Sequence, residues 1–159
     1  MSKLTHMDDE GNARMVDVGA KSPTQREAVA EGWIQLTPSA FDCLQAGDVP
    51  KGDVLQIAQI AGIQAAKKTS DLIPLCHPLP ISGIKLVLET EAPNRVYVWA
   101  RVRCDGKTGV EMEALTAVSG ALLCVYDMLK AIDKNLIIGP IQLVEKSGGK
   151  SGDWKRQEP

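Results

Sequence analysis

The sequence has 159 residues, which points to one domain burying about 68–70% of its unfolded surface. Lys and Arg number 18 against 20 Asp and Glu, and the net charge of −2 excludes the uniformly basic surface of a nucleic-acid coat protein. The six aromatic residues (Trp33, Phe41, Tyr97, Trp99, Tyr126 and Trp154) are too few for a ladder of base-stacking platforms, so the core is aliphatic.

The N-terminal residues are polar and mixed in charge, with no apolar stretch of signal-peptide type. No run approaches 18 apolar residues, so no membrane span is expected. Cys43, Cys76, Cys104 and Cys124 are 33, 28 and 20 positions apart, which is not the close spacing of a zinc site. The expectation is four reduced, mostly buried thiols in a cytoplasmic protein.

In chain order, residues 1–22 lack periodicity apart from Met15-Val16-Asp17-Val18 and read as a mostly flexible arm. Residues 26–36 place apolar groups on both alternating faces, which predicts a strand covered in part on each side. Thr37-Pro38 signals a short helix to about Ala46. After a loop, Asp53 caps a second helix with Gln56 as capping-box partner. Val54, Ile57, Ala58, Ala61 and Ala65 are expected on its inner face, where small residues let a neighbouring backbone come close. From Asp71 to Pro80, three prolines exclude a helix and stiffen an extended path. Residues 81–91 and 95–104 read as a β-hairpin turned at Ala92-Pro93-Asn94. A long helix is predicted from Val110 to Asp133, then a strand over 136–145 and a Gly/Lys-rich tail.

This order gives an α+β fold on the β-α-β-β-α-β plan of ferredoxin-like proteins, with a four-stranded antiparallel sheet and helices on one face. The expected organisation is an arm over 1–22, a single catalytic domain over 23–146 and a tail over 147–159. The bare sheet face needs cover, which suggests a partner chain.

On the long helix, Val118, Leu122, Val125, Leu129 and Ile132 form a core stripe. Glu113, Asp127 and Lys130 fall on the other side, together with Met112 and Leu123. That mixture fits a cleft or an oligomer interface better than open water, although Asp127 and Lys130 also have the spacing of a plain surface ion pair. Glu113 and Asp127 are 14 positions apart, about 21 Å along a helix. They either hold opposite ends of a long ligand or belong to neighbouring sites.

Gly106-Lys107-Thr108 resembles the end of a phosphate-binding P-loop, but Arg101 stands where the first Gly is needed. Gly149-Lys150-Ser151 fails likewise, with Val144 at that position. The tail still has the means to bind an anion, because glycines bring backbone N–H groups close and Lys146 and Lys150 add charge. His77 sits on a proline-stiffened loop as a phosphate donor or proton shuttle, or simply as an exposed histidine. Cys76 and His77 are adjacent and without a second pair, so they make no metal site. Lys51 precedes a helix N-terminus, where a cation opposes the dipole and has no stabilising role.

These segments resemble the molybdenum-cofactor biosynthesis protein C family, the cyclic pyranopterin monophosphate synthases. The resemblance is carried by Thr5-His6, Met15-Val16-Asp17-Val18, Lys51-Gly52-Asp53-Val54, the run from Ala61 to Lys67, LIPLCHPL over 72–79, GKTGVEMEALTA over 106–117, Tyr126-Asp127-Met128 with Lys130-Ala131, and the tail from Lys146 to Asp153. It implies an enzyme that takes a cyclised dihydro-GTP to a pyranopterin, forming a cyclic phosphate and releasing pyrophosphate. It implies no resident cofactor or metal, Mg²⁺ being able to accompany the triphosphate, and no nucleic-acid or membrane partner. It also implies a homohexamer, a trimer of dimers with sites between subunits, and a pathway link to a radical S-adenosylmethionine enzyme that makes the substrate. By position, Asp127, Lys130 and Lys51 match the catalytic residues. Leu75, Cys76, His77, Met112 and Glu113 match substrate-binding segments, and Arg26, Lys67, Lys146 and Lys150 match positions near the substrate. A non-catalytic nucleotide sensor, or a scaffold for the radical enzyme, is the alternative.

Overall fold

The computed structural model describes residues 6–157; Thr5 of the Thr5-His6 match lies outside them. The chain forms β1 (Thr24–Gln35), α1 (Pro38–Ala46), α2 (Val54–Lys67), α3 (Thr69–Leu72), β2 (Ile81–Glu91), β3 (Arg95–Gly106), α4 (Glu111–Leu129), β4 (Ile137–Ser147) and β5 (Trp154–Lys155). The sheet order is β2-β3-β1-β4-β5, with every neighbouring pair antiparallel. The ferredoxin-like plan is present, but the sheet has five strands, not four. The fifth is a two-residue strand in the tail, pairing Glu145 with Lys155 and Lys146 with Trp154. So short a strand has no periodicity to read, and only its partner β4 defines it.

Local chemistry explains the element boundaries. The Thr37 side chain accepts from the Ala40 N–H, and Gly47 closes α1 with a left-handed φ of 74°. The Asp53 carboxylate accepts from the Gln56 N–H at 3.0 Å and starts α2. A one-turn helix, α3, occupies the start of the segment expected to be extended; it ends at Leu72, before Pro74. The long helix stops at Leu129 rather than Asp133, and the Lys130 N–H closes its last turn on the Tyr126 carbonyl.

The core lies between the helices and one sheet face. Ala28, Ala30 and Ile34 of β1 and Val96, Val98, Ala100 and Val102 of β3 are fully buried there. They meet the predicted α4 stripe, in which Val118, Leu122, Val125 and Leu129 are also fully buried. α4 is long and apolar enough to cross a membrane by length and composition alone. Nine of its residues are buried inside the fold, so it serves as the central core helix.

The inner face of α2 is close to the one expected, with Val54 and Ala58 buried and Ala61 and Ala65 half-buried, but it is centred one residue further round. Val54, Ala58, Gly62 and Ala66, at strict i,i+4 spacing, are buried, while Ile57 is exposed. Small residues bring α2 and α4 together: a Cβ on Gly62 would lie 2.7 Å from the Ala117 carbonyl oxygen and 2.4 Å from a Leu86 methyl. All four cysteines are free, but only Cys104 is buried, the other three being partly exposed.

The other sheet face carries an ion-pair and aromatic layer. Glu27 pairs with Arg101 at 3.2 Å and also with Arg103. Tyr97 Oη donates to Glu31 Oε2 at 2.9 Å, and its ring stacks against Trp33 at 5.2 Å.

Candidate active site

Polar clusters form at opposite ends of α4. Because α2 and α4 pack antiparallel, the start of α2 reaches the end of α4. Lys51 Nζ donates to Asp127 Oδ2 at 2.7 Å and to the Asp127 carbonyl at 3.0 Å. Lys130 Nζ donates to Asp127 Oδ1 at 2.5 Å. The predicted i,i+3 pair therefore exists, and a third residue from a distant loop joins it.

Hydrogen bonds from Lys130 and then Lys51 hold the Asp127 carboxyl down to about 2. In return Asp127 raises Lys130 above the ordinary lysine value. One carboxylate thus holds two ammonium groups aimed at one region. Such a group can donate a proton and neutralise developing negative charge.

At the other end of α4 lies a concavity of about 340 Å³ lined by Leu75, Cys76, His77, Met112 and Glu113. Part of its wall is the arm, through His6, Val16, Val18 and Lys21. The 2.8 Å hydrogen bond between His77 Nε2 and the Val16 carbonyl joins the arm to the proline-stiffened loop. Glu113 is 4% exposed. Burial raises its carboxyl above the usual carboxylate value, and Glu111 adds to the effect against a bond from its own backbone N–H. Burial also pushes the Cys76 thiol up, reinforced by Glu113. Glu113 therefore lies in a cleft, as the mixture of residues on that side of the helix suggested. The 73–80 loop and the arm cover that side of the first turn.

A second concavity of about 380 Å³ carries Lys21, Arg26, Lys107, Lys146 and Lys150. Arg26 donates to the carbonyls of Gly106 (3.4 Å), Lys107 (3.5 Å) and Gly148 (3.4 Å), tying the loop before α4 to the tail. Gly148 and Gly149 turn with φ of 91° and 77°. The φ of Gly149 favours glycine, and a Cβ there would stand 1.6 Å from Arg26 Nη1 and displace the guanidinium, whereas one on Gly148 would stand 2.1 Å from the Gln25 carbonyl oxygen. Lys146 Nζ lies 3.2 Å from Glu111 Oε1 and donates to Ser151 Oγ at 3.1 Å. The two concavities share Lys21, Thr108, Gly109 and Glu111.

The sequence profile of the MoaC family matches residues 15–149. The chain belongs to the MoaC family. It is 54% identical over 158 residues (99% of this chain, 93% of the relative) to a protein named cyclic pyranopterin monophosphate synthase from Pelotomaculum thermopropionicum. It is 59% identical over 155 residues (97% and 98%) to one of the same name from a Roseiflexus species. Neither relative is named as a sensor or a scaffold.

In this MoaC-family chain the candidate site residues fall into three groups. Leu75, Cys76, His77, Met112 and Glu113 line one concavity, and Arg26, Lys146 and Lys150 the adjoining one. Lys51, Asp127 and Lys130 stand at the far end of α4, about 21 Å away along the axis. Lys67 is exposed at the C-terminal end of α2 and lines neither concavity. Lys21 and Glu111 were not singled out from the sequence, and Lys107 only as part of a segment that fails as a P-loop, yet all three line the walls. The signals that mark them are Gly19 before Lys21, and Gly106 and Gly109 around Lys107. Among the described residues no group of three or more His, Cys, Asp or Glu could hold a metal ion.

Proposed function

We propose that this chain is a cyclic pyranopterin monophosphate synthase of molybdenum cofactor biosynthesis. It converts 3′,8-cyclo-7,8-dihydroguanosine 5′-triphosphate to cyclic pyranopterin monophosphate and releases pyrophosphate. The names of both relatives, matched over nearly the whole chain, support the reaction. The observation that carries the reading is the convergence of Lys51 and Lys130 on the two oxygens of Asp127.

The chemistry needs protons moved as a ring opens and recloses, and then an attack on the α-phosphorus. In that attack a sugar hydroxyl oxygen forms a bond to the α-phosphorus as the bond from phosphorus to the bridging oxygen of pyrophosphate breaks; a lysine gives a proton to the departing pyrophosphate and the proton lost by the hydroxyl replaces it. Lys130 and Lys51 act as proton donors and neutralise the leaving charge. Asp127 holds both in position. The polycationic concavity binds the triphosphate, which carries about four charges and needs several Lys and Arg donors. The neighbouring half-apolar concavity at Leu75, Cys76, His77, Met112 and Glu113 takes the heterocycle.

The separation of about 21 Å between the two ends of α4 favours a site shared between subunits. One subunit's Lys51–Asp127–Lys130 cluster works on substrate held in a neighbour's concavities, within a homohexamer built as a trimer of dimers. The exposed apolar residues Ile57, Ile60 and Leu123 on the helical layer are suited to contacts between copies. The radical S-adenosylmethionine enzyme of the pathway supplies the substrate, and both act in the cytoplasm.

The test is turnover of the cyclised substrate by purified protein, reading pyrophosphate and the cyclic phosphate together. Asp127→Asn is expected to bind substrate and not turn it over. Full turnover by that variant, with binding unchanged, would remove Asp127 from the mechanism.

A further inference from the structure

The arm contributes a cation to the seam between the two concavities. Among the described residues, Lys21 is the single basic residue that lines both. It follows a turn in which Asp17 Oδ1 accepts from the Gly19 N–H at 2.7 Å. That turn is anchored to the body, because Lys107 Nζ donates to the Gly19 carbonyl at 2.7 Å across 88 residues. The His77–Val16 hydrogen bond fixes the arm a second time. The chain on both sides of Lys21 is thereby placed: β1 begins at Thr24 and pairs with Gly106.

Charge accounting distinguishes Lys21 from its neighbours. In the polycationic concavity, Lys146 is paired with Glu111. Arg26 is committed to three backbone carbonyls, and Lys107 holds the Gly19 carbonyl. Lys21 and Lys150 face the space with no side-chain partner among the described residues. An ammonium without a partner gains most from a phosphate, because no existing bond has to be broken. The two carboxylates of the lining are engaged elsewhere, Glu111 with Lys146 and Glu27 with Arg101 and Arg103, so Lys21, Arg26, Lys107 and Lys150 have no ion-pair partner among the described residues.

We propose that Lys21 is a substrate ligand that holds the phosphate joined to the sugar, at the seam where the heterocycle's concavity meets that of the distal phosphates, and that Lys107 presents it by gripping Gly19. The proposal rests on the functional reading above, since it takes the triphosphate as occupant. A seam position matters for cyclisation, because the phosphate joined to the sugar is the one attacked. A ligand there orients that phosphorus as well as adding affinity.

The experiment measures binding of inorganic tripolyphosphate to the full-length protein, and separately the KM and kcat for the cyclised substrate. Lys21→Ala is expected to weaken tripolyphosphate binding about tenfold or more, the loss of one charge-assisted contact. Lys21→Arg should retain most of the binding. Lys107→Ala should weaken it too, through loss of the arm's anchor. Lys85→Ala is the control, since Lys85 lies beside Trp99 and lines neither concavity. In turnover, Lys21→Ala should lower kcat as well as raise KM, and Lys21→Arg should recover kcat in part. Tripolyphosphate binding by Lys21→Ala within twofold of the parent overturns the proposal, as does a parent protein that binds no tripolyphosphate. A parent that binds tripolyphosphate through Lys21 but makes no pyranopterin upholds the anion site and overturns the functional reading instead.

Discussion

Lys51 and Asp127 are 76 residues apart in sequence and 2.7 Å apart in space. The loop ahead of α2 holds one and the last turns of α4 the other, and the small-residue contact between the helices sets their separation. Lys130, one turn beyond Asp127, closes the cluster from within the same chain segment. Neither lysine was placed by burial; both side chains are about half exposed.

The acid behaviour of Asp127 follows from this contact. Its folded value is about 2, below the ordinary 3.8. A depressed carboxylate contributes stability above its unfolded value and loses it as pH falls through the folded one. Asp127 therefore adds to acid stability over about pH 4 to 2. Asp127→Asn should unfold at higher pH than the parent, in an acid titration followed by circular dichroism. Asp127 should also not set the acid limb of kcat/KM above pH 4; an NMR titration of the parent protein that placed the Asp127 carboxyl transition above pH 4 would contradict this.

Glu113 gives the opposite sign. Burial raises its carboxyl, so the folded state holds the proton more tightly than the unfolded one. Its contribution is neutral below the ordinary 4.5 and becomes destabilising as pH rises through the folded value. Glu113→Gln should raise Tm at neutral pH, leave it unchanged at pH 4, and impair turnover. A Tm lowered equally at both pH values would show a packing role instead.

The helix contact at Gly62 is already at its limit. A Cβ there meets Leu86, the Ala117 carbonyl and Ala121 at 2.4, 2.7 and 3.1 Å. Gly62→Ala should cost about 1–3 kcal/mol through overpacking, or about 2–4 °C of Tm for each kcal/mol. Because α2 also delivers Lys51, turnover should fall by more than the loss of folded protein explains, as read at a temperature where both proteins are folded.

Gly149 tests the tail. Its φ of 77° and its place against Arg26 leave no room for a methyl group. Gly149→Ala should raise KM for the triphosphate substrate more than it lowers kcat, since it displaces the clamp that aligns the cation-bearing loops. Its stability cost should be about 1 kcal/mol from backbone strain. An unchanged KM would show that Arg26 can relocate without moving Lys107 or Lys150.

What could be read from the sequence was local or periodic. The Asp53 cap, the Thr37-Pro38 start, the hairpin at Ala92-Pro93-Asn94 and the α4 core stripe depend on neighbours within a few residues. The long runs LIPLCHPL and GKTGVEMEALTA likewise carried the family and the candidate residues Leu75, Cys76, His77, Met112 and Glu113. What could not be read depends on segments far apart in the chain. Ile57 was expected inside because a helix wheel cannot tell which of two adjacent stripes faces a partner; the fit of Gly62 against Ala117 decided that. β5 exists because β4 offers an unpaired edge. Glu113 is buried because the arm and the 73–80 loop close over it. Lys21, Arg26, Lys107, Lys146 and Lys150 make one positive surface inside a chain of net charge −2. Composition sums charge over the chain, whereas an anion responds to charges within a few ångströms. The sequence alone therefore determined the elements, the family and the residue types. Only the tertiary structure decided which charges share one space.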